Sequence, residues 1–276
     1  MIQPLISRLR PRFKPTFTRR QLIYYWDLLF ELVGRELKIL YKRSLLGVAW
    51  TLMSPLLQLL VFSVVFQQIL KTGDGIAHYL SYAFSGLLIW NWTQSALFQA
   101  TGLITGNRPL IRQPNFPVPM LPIVTVTTGM IHFLLALPAL WIIMTIDQVS
   151  ISWTILMFPL LLGLQFALTL SFAYPLAALN VTFRDTQHTL GVILQLMFYL
   201  LPVFYSLDDR LIPAFIRPVY EYNPFVILIE AYRSILLKSA MPSASGLMVL
   251  GLIVVVLLPV GYRIFRRQSE RFVEEV

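Results

Sequence analysis

Cysteine is absent from this 276-residue chain, which excludes disulfides and thiolate metal sites. Charge is scarce: 13% of the residues are Asp, Glu, Lys or Arg, where a soluble domain carries about 25%. Histidine is scarcer, and His78, His132 and His188 are scattered, so no histidine-cluster metal site is readable. No GxxxxGK[ST] phosphate loop occurs, so the chain does not bind ATP by that route. No long apolar run carries a carboxylate, which disfavours a proton- or sodium-coupled carrier, because such carriers need ionisable groups at membrane depth. No nucleophile–base pair stands out either. An integral-membrane glycan-modifying enzyme would have to draw on Asp208, Asp209 and Glu221.

What the chain does have is apolar length. It is 57% hydrophobic, with a mean hydropathy of +0.70, and a helix crosses the hydrocarbon core in about 20 residues. Six candidate spans follow, at residues 45–70, 76–105, 116–146, 151–181, 188–205 and 247–262. His132 in the third is the deepest titratable group, read as a hydrogen-bonded packing residue. The start is basic without an apolar core of signal-peptide length, and is expected to be a retained cytoplasmic segment. Of the 22 Lys and Arg, seventeen fall on the side of the termini and five on the other side. The positive-inside rule then places both termini in the cytoplasm, and an even number of spans agrees with that.

Two segments remain. Residues 21–44 are amphipathic: Asp27, Glu31, Arg35, Lys38 and Lys42 recur three to four residues apart on one helical face, with Glu31 and Arg35 spaced to pair. Leu22, Trp26, Leu29, Phe30, Val33, Leu37 and Leu40 lie largely away from it. The pattern predicts an interfacial helix along the inner leaflet. Residues 206–243 are too polar for a span and too apolar for a free loop. Asn223-Pro224 predicts a capped helix start running to about residue 237. That helix is too short to cross, so a pair of short helices, at about 211–220 and 223–237, is expected to dip into the outer leaflet. Glu230 and Arg233 are spaced to pair.

"RELKILYKRSLLGVAWTLMSPLLQLLVFSVVF" (35–66) resembles the opening of ABC-2-type membrane subunits that export polysaccharides, the O-antigen, teichoic-acid and capsule exporters. The shared pattern here is Tyr41, Lys42, Ser44, Leu46, Gly47, Trp50 and Pro55. "ALNVTFRDTQHTLGVILQLMFYLLPVFYS" (178–206) and "YNPF" (222–225) are further matches in the same order. Lys42 and Arg43 suit the anionic inner surface and Tyr41 and Trp50 the headgroup boundary, although plain membrane anchoring would account for Tyr41, Lys42 and Arg43 as well. Gly47 is expected to permit close helix approach and Pro55 to kink the first span.

The resemblance implies an all-α integral membrane fold. It has six transmembrane helices, an N-terminal interfacial helix, and short external re-entrant helices between spans five and six. The corresponding units are 1–44 (cytoplasmic N-terminus and interfacial helix), 45–265 (transmembrane domain, with a gate-like segment at 206–243) and 266–276 (cytoplasmic tail). It implies a transport subunit in a bacterial cytoplasmic (inner) membrane, not an enzyme. The subunit would form a homodimer with two copies of a separate ABC ATPase, which would hold the ATP and Mg. The loop "TGNRPLIRQPNFP" (105–117) would carry the ATPase coupling helix through Arg108, Leu110, Ile111 and Arg112, with Arg184 and Asp185 as a second contact. Spans one and five would line the channel, which favours Trp50, Phe62, Phe66, Phe198, Tyr199, Phe204 and Tyr205, with Trp90 and Trp92 added from span two. Aromatic rings offer flat faces to the C–H faces of sugars, and a moving polymer needs many weak sites rather than one tight one. The external gate would use Tyr220, Tyr222, Glu230 and Arg233. A lipid-linked O-antigen is the favoured cargo. Teichoic acid, capsule, and small drugs or lipids stay open.

Overall fold

The computed structural model describes residues 19–42, 44, 46–69, 75–206, 217–269 and 272. Arg43, Asp208, Asp209 and the first part of the first external short helix, residues 211–216, lie outside the described residues, and the helix Arg217–Glu221 covers the rest of it. The described chain is helical without a strand. In order come α1 (Arg19–Tyr41), α2 (Trp50–Ser63), α3 (Tyr79–Gly106), α4 (Arg108–Ile111), α5 (Met120–Ile146), α6 (Phe158–Thr182), α7 (Thr186–Leu200), α8 (Arg217–Glu221), α9 (Pro224–Leu236) and α10 (Ala244–Ser269). A 3₁₀ turn, Gly47–Ala49, leads into α2, and a π-helical turn, Val64–Ile69, continues it. Another 3₁₀ turn, Trp153–Met157, leads into α6.

Among the described residues, four helical stretches are long and apolar enough to cross a membrane: Gly47–Ile69, Met120–Ile146, Trp153–Thr182 and Ala244–Ser269. Their outer faces expose Leu57, Leu60, Val61, Trp141, Ile142, Leu160, Leu252 and Val255. Such a belt would drive aggregation in water and is the ordinary outer surface in hydrocarbon. Pro55, Pro138, Pro175 and Pro259 all sit inside helices, which is tolerated where neighbouring helices re-satisfy the freed backbone groups.

α3 is the axle of the fold. Every residue from 81 to 90 is buried, and α3 packs on α5, α6, α2, α7 and α9. Because its sides face protein, it can hold polar groups: the Gln165 amide of α6 donates to the Ile89 carbonyl at 2.9 Å. α10 lies against α6 so closely that a Cβ at Gly261 would collide with the Ser171 carbonyl oxygen.

Several sequence expectations are corrected. The fifth span was expected to run to residue 205, but α7 stops at Leu200. Leu201 is extended (ψ 144°) because it precedes Pro202, whose ring disfavours helix at the preceding residue and which has no N–H to continue one. Gly47 was expected to allow close helix approach, yet among the described residues nothing lies within 4 Å of a Cβ built there. Its role is its backbone, which is left-handed (φ +49°). Arg35 was spaced to pair with Glu31, but its guanidinium instead reaches Asn107 Oδ1 at 2.7 Å. An exposed i,i+4 pair, worth about 0.3–0.5 kcal/mol, is easily outcompeted.

Candidate functional site

α2, α3, α5 and α7 border an open cavity of about 1010 Å³. One face of α2 supplies Trp50, Thr51, Ser54, Gln58 and Phe62, which recur at helical spacing. Opposite, α3 presents Asn91, Gln94, Ser95 and Phe98, and α7 presents Gln195, Phe198 and Tyr199. His132 of α5 closes a third side. Among the described lining residues there is no Asp, Glu, Lys or Arg. The Asn91 carboxamide donates to Gln58 Oε1 at 3.1 Å across the cavity wall. This wall offers amides and hydroxyls that both donate and accept, set between aromatic faces. It suits a polyhydroxylated molecule held by many modest contacts.

At one end is the mouth. The Tyr41 hydroxyl and Thr51 Oγ1 are 2.7 Å apart, which ties the end of α1 to the start of α2. Gly47 N–H donates to Ser44 Oγ at 3.0 Å within the left-handed turn. Tyr41 also lies edge-on to His132, with ring centroids 6.0 Å apart. Lys42 is exposed beside this mouth. α1 follows the first turns of α5: Leu32 and Val33 cluster with Met120 and Val124, and the Thr128 hydroxyl donates to Glu36 Oε2 at 3.1 Å. Burial pushes the Glu36 carboxyl above its ordinary range, against the opposing pull of Thr128 and Arg35. The other half of the apolar arc of α1, with Leu22, Trp26, Phe30 and Leu40, stays exposed.

At the far end four phenylalanines meet. Phe62 stacks on Phe204 with centroids 4.0 Å apart, and Phe66 stacks on Phe204 at 5.7 Å. Phe198 stands edge-on to both Phe62 and Phe204, at 5.6 Å from each. Phe62 and Phe198 face the cavity, while Phe66, Phe204 and Tyr205 lie behind them.

The backbone that carries Phe204 is irregular, and its carbonyls need partners. Side chains supply all four. Arg233 Nη1 donates to the Pro202 carbonyl at 2.7 Å, and Nη2 to that of Val203 at 2.8 Å. The Tyr79 hydroxyl donates to the Phe204 carbonyl at 3.3 Å, and the Tyr82 hydroxyl to that of Tyr205 at 2.9 Å. Arg233 is fully buried, pairs with Glu230 at 3.0 Å, and lies 3.4 Å from the Tyr82 ring centroid. Removing one member of a buried pair typically costs about 3–5 kcal/mol. Burial raises the Glu230 carboxyl, but Arg233 and Lys238 outweigh it and hold the group below its ordinary value. α9 is set in place by the expected cap, with Asn223 Oδ1 accepting from Phe225 N–H at 2.9 Å. The Tyr220 hydroxyl lies 3.4 Å from that of Tyr205, and Tyr222 is exposed.

The remaining candidates divide by exposure. In the α3–α5 loop Arg108 and Arg112 face outward, Leu110 is half-buried and Ile111 is buried in the core. Arg184 and Asp185 are exposed in the turn between α6 and α7. Trp90 is buried against Phe225, away from the cavity. Trp92 is buried in the wall and donates to the Val126 carbonyl at 3.1 Å. Sequence reasoning missed the amides Gln58, Asn91, Gln94 and Gln195. The signal available for them was their occurrence in runs otherwise apolar enough to span.

The family profile of the ABC-2 type transporter matches residues 27–237. The O-antigen export system permease protein RfbA of Myxococcus xanthus is 34% identical over 257 residues, covering 93% of this chain and 98% of that protein. A protein of the same description from Klebsiella pneumoniae is 27% identical over 253 residues, covering 91% and 95%. A second one from that organism is 27% identical over 255 residues, again covering 91% and 95%. With a match over most of its length and end-to-end similarity to these permeases, the chain belongs to the ABC-2 type transporter family.

Proposed function

We propose that this chain is the permease subunit of an ATP-driven exporter that carries a lipid-linked polysaccharide, O-antigen, across a bacterial inner membrane. The observation that carries the reading is the uncharged cavity walled by amides, hydroxyls and aromatic rings along α2, α3 and α7. Sugar hydroxyls pair with the former and sugar C–H faces with the latter. That the three relatives are O-antigen export permeases supports the choice of cargo.

In this reading there are six spans. The four apolar stretches are joined by α3, 28 residues and about 42 Å long, and by α7. The latter has 15 residues, about 22 Å, and the irregular stretch 201–205 completes the crossing. Irregular backbone at that depth is tolerated because protein side chains satisfy it. The units are 1–44, 45–265 and 266–276, with 206–243 as the external gate and both termini cytoplasmic. α1 lies at the inner interface, where Tyr41, Lys42 and Arg43 flank the cargo's way in. Its exposed apolar arc supports that placement. Trp50, Phe62, Phe198 and Tyr199 line the conduit.

Two copies of the chain stand on two copies of a separate ABC ATPase, which holds ATP and Mg. Arg108 and Arg112 face the ATPase with Leu110, supported from behind by Ile111. Arg184 and Asp185 provide a second contact.

Deleting the gene in its host and comparing surface with cell-retained, lipid-linked polymer tests the reading. The expected result is loss from the surface with accumulation inside, and the sugars of the retained polymer identify the cargo. Loss without accumulation would replace export by synthesis.

A further inference from the structure

We infer that the phenylalanines at the far end of the cavity are the resting seal of the conduit, and that Arg233 is the positioning residue that keeps it closed. The inference rests on the export reading for what passes through the conduit, but it assigns these rings a different task from sugar stacking. A sugar-stacking ring must present a free face to the cavity. Phe204 presents none: it is buried, with Phe62 and Phe66 stacked on it and Phe198 edge-on. A dry aromatic contact closing one end of an otherwise hydrogen-bonding cavity blocks water and solutes by excluding both.

The two halves of the contact come from different elements. Phe204 belongs to a unit in which α3, α9 and the stretch after α7 are tied by carbonyl bonds. Arg233 supplies two of those bonds and also touches the Tyr82 carbonyl of α3 at 3.3 Å. Gly86 leaves the room this requires, since a Cβ there would stand 2.7 Å from Arg233 Nη2. Phe62 belongs to α2, and Phe66 lies in the π-helical turn that continues it. Such turns are weaker than α-helix and frequent at functional sites. Opening therefore separates Phe62 from Phe204, with the end of α2 yielding and the clamped unit staying whole. Without Arg233 the carbonyls of Pro202 and Val203 lose their donors, and Phe204 is no longer held against Phe62.

The test uses the full-length chain in proteoliposomes loaded with radiolabelled sucrose, without nucleotide. Wild type is expected to retain the sugar. Phe204→Ala and Arg233→Met, checked for monodispersity in detergent, are expected to leak about tenfold faster, and Arg233→Lys to leak less than Arg233→Met. A tight Arg233→Met protein would overturn the positioning role, and a tight Phe204→Ala protein would overturn the seal. Should Arg233→Met fail to fold, a second variant still decides. The chain has no cysteine, so Phe62→Cys with Phe204→Cys creates one oxidisable pair. Cross-linking it is expected to lower polymer export in cells below that of the same variant kept reduced. Export undiminished by the cross-link would sink the seal and leave the export reading intact. Absence of export from wild type would sink that reading and leave the leak result standing.

Discussion

Arg35 of α1 and Asn107 at the end of α3, 72 positions apart, are joined by a hydrogen bond of 2.7 Å from Arg35 Nη2 to Asn107 Oδ1. Asn107 also opens α4, its carbonyl accepting from Leu110 and Ile111. The amphipathic helix and the α3–α5 loop proposed to meet the ATPase are therefore mechanically linked. Arg35→Ala and Asn107→Ala should each lower stability by about 0.5–1.5 kcal/mol, and the double variant should lose less than the sum. A double-mutant cycle on thermal unfolding in detergent measures this.

Replacing Arg108 and Arg112 together with Glu reverses the charge of the outward face of the same loop. ATPase co-purification and polymer export should both fall, while membrane insertion stays intact, since the apolar spans are untouched. Full export by the double variant would remove the coupling assignment.

Gly47 begins the first span in a left-handed conformation, φ +49°. Gly47→Ala should cost about 1–2 kcal/mol of stability from backbone strain alone, because its Cβ meets no neighbour. Gly47→Asn should cost less, as Asn tolerates that region. Unfolding midpoints of the three proteins give the order.

Gly261 and Gly251 stand on one helix in opposite circumstances. Gly261→Ala drives a methyl into the Ser171 carbonyl of α6, whose backbone cannot give, and should destabilise by about 1–3 kcal/mol. Gly251 has open space, so Gly251→Ala should be neutral or stabilise by up to about 1 kcal/mol. Equal effects at both positions would refute the close packing of α10 on α6.

Glu36 supplies a pH dependence. Its folded carboxyl titrates above the ordinary value of 4.5 because it is buried. The folded state therefore holds the proton longer than the unfolded state. The resulting stability is fully present below the ordinary value and is lost as pH rises through the folded one. Glu36→Gln keeps an acceptor for Thr128 without the charge, so the wild-type protein should lose stability relative to the variant as pH is raised from 4 towards 8. Melting curves across that range check the sign.

The apolar stretches, the amphipathic start and the capped helix at Asn223-Pro224 were legible because each rests on neighbours in the chain. Hydrophobic length, helical periodicity and the preference of Asn and Pro for helix starts are local properties. The early end of α7 was also written locally, in Pro202, but an apolar run through residue 205 masked it. The amides of the cavity wall were not legible. Gln58 and Asn91 could as well have packed between helices, and which side of α2 or α3 faces a hollow depends on where α5 and α7 lie.

The sequence by itself determined that this chain is a helical membrane protein, through its apolar length. It also determined the family, through ordered local motifs. Only the tertiary structure decided that Pro202, Val203, Phe204 and Tyr205 find their donors in Tyr79, Tyr82 and Arg233, groups up to 125 positions away. The physical reason is that buried carbonyls must be paired, but nothing in their own neighbourhood says by whom. That choice is made when α3 and α9 close around the broken end of α7, and the same closure brings Phe62 onto Phe204.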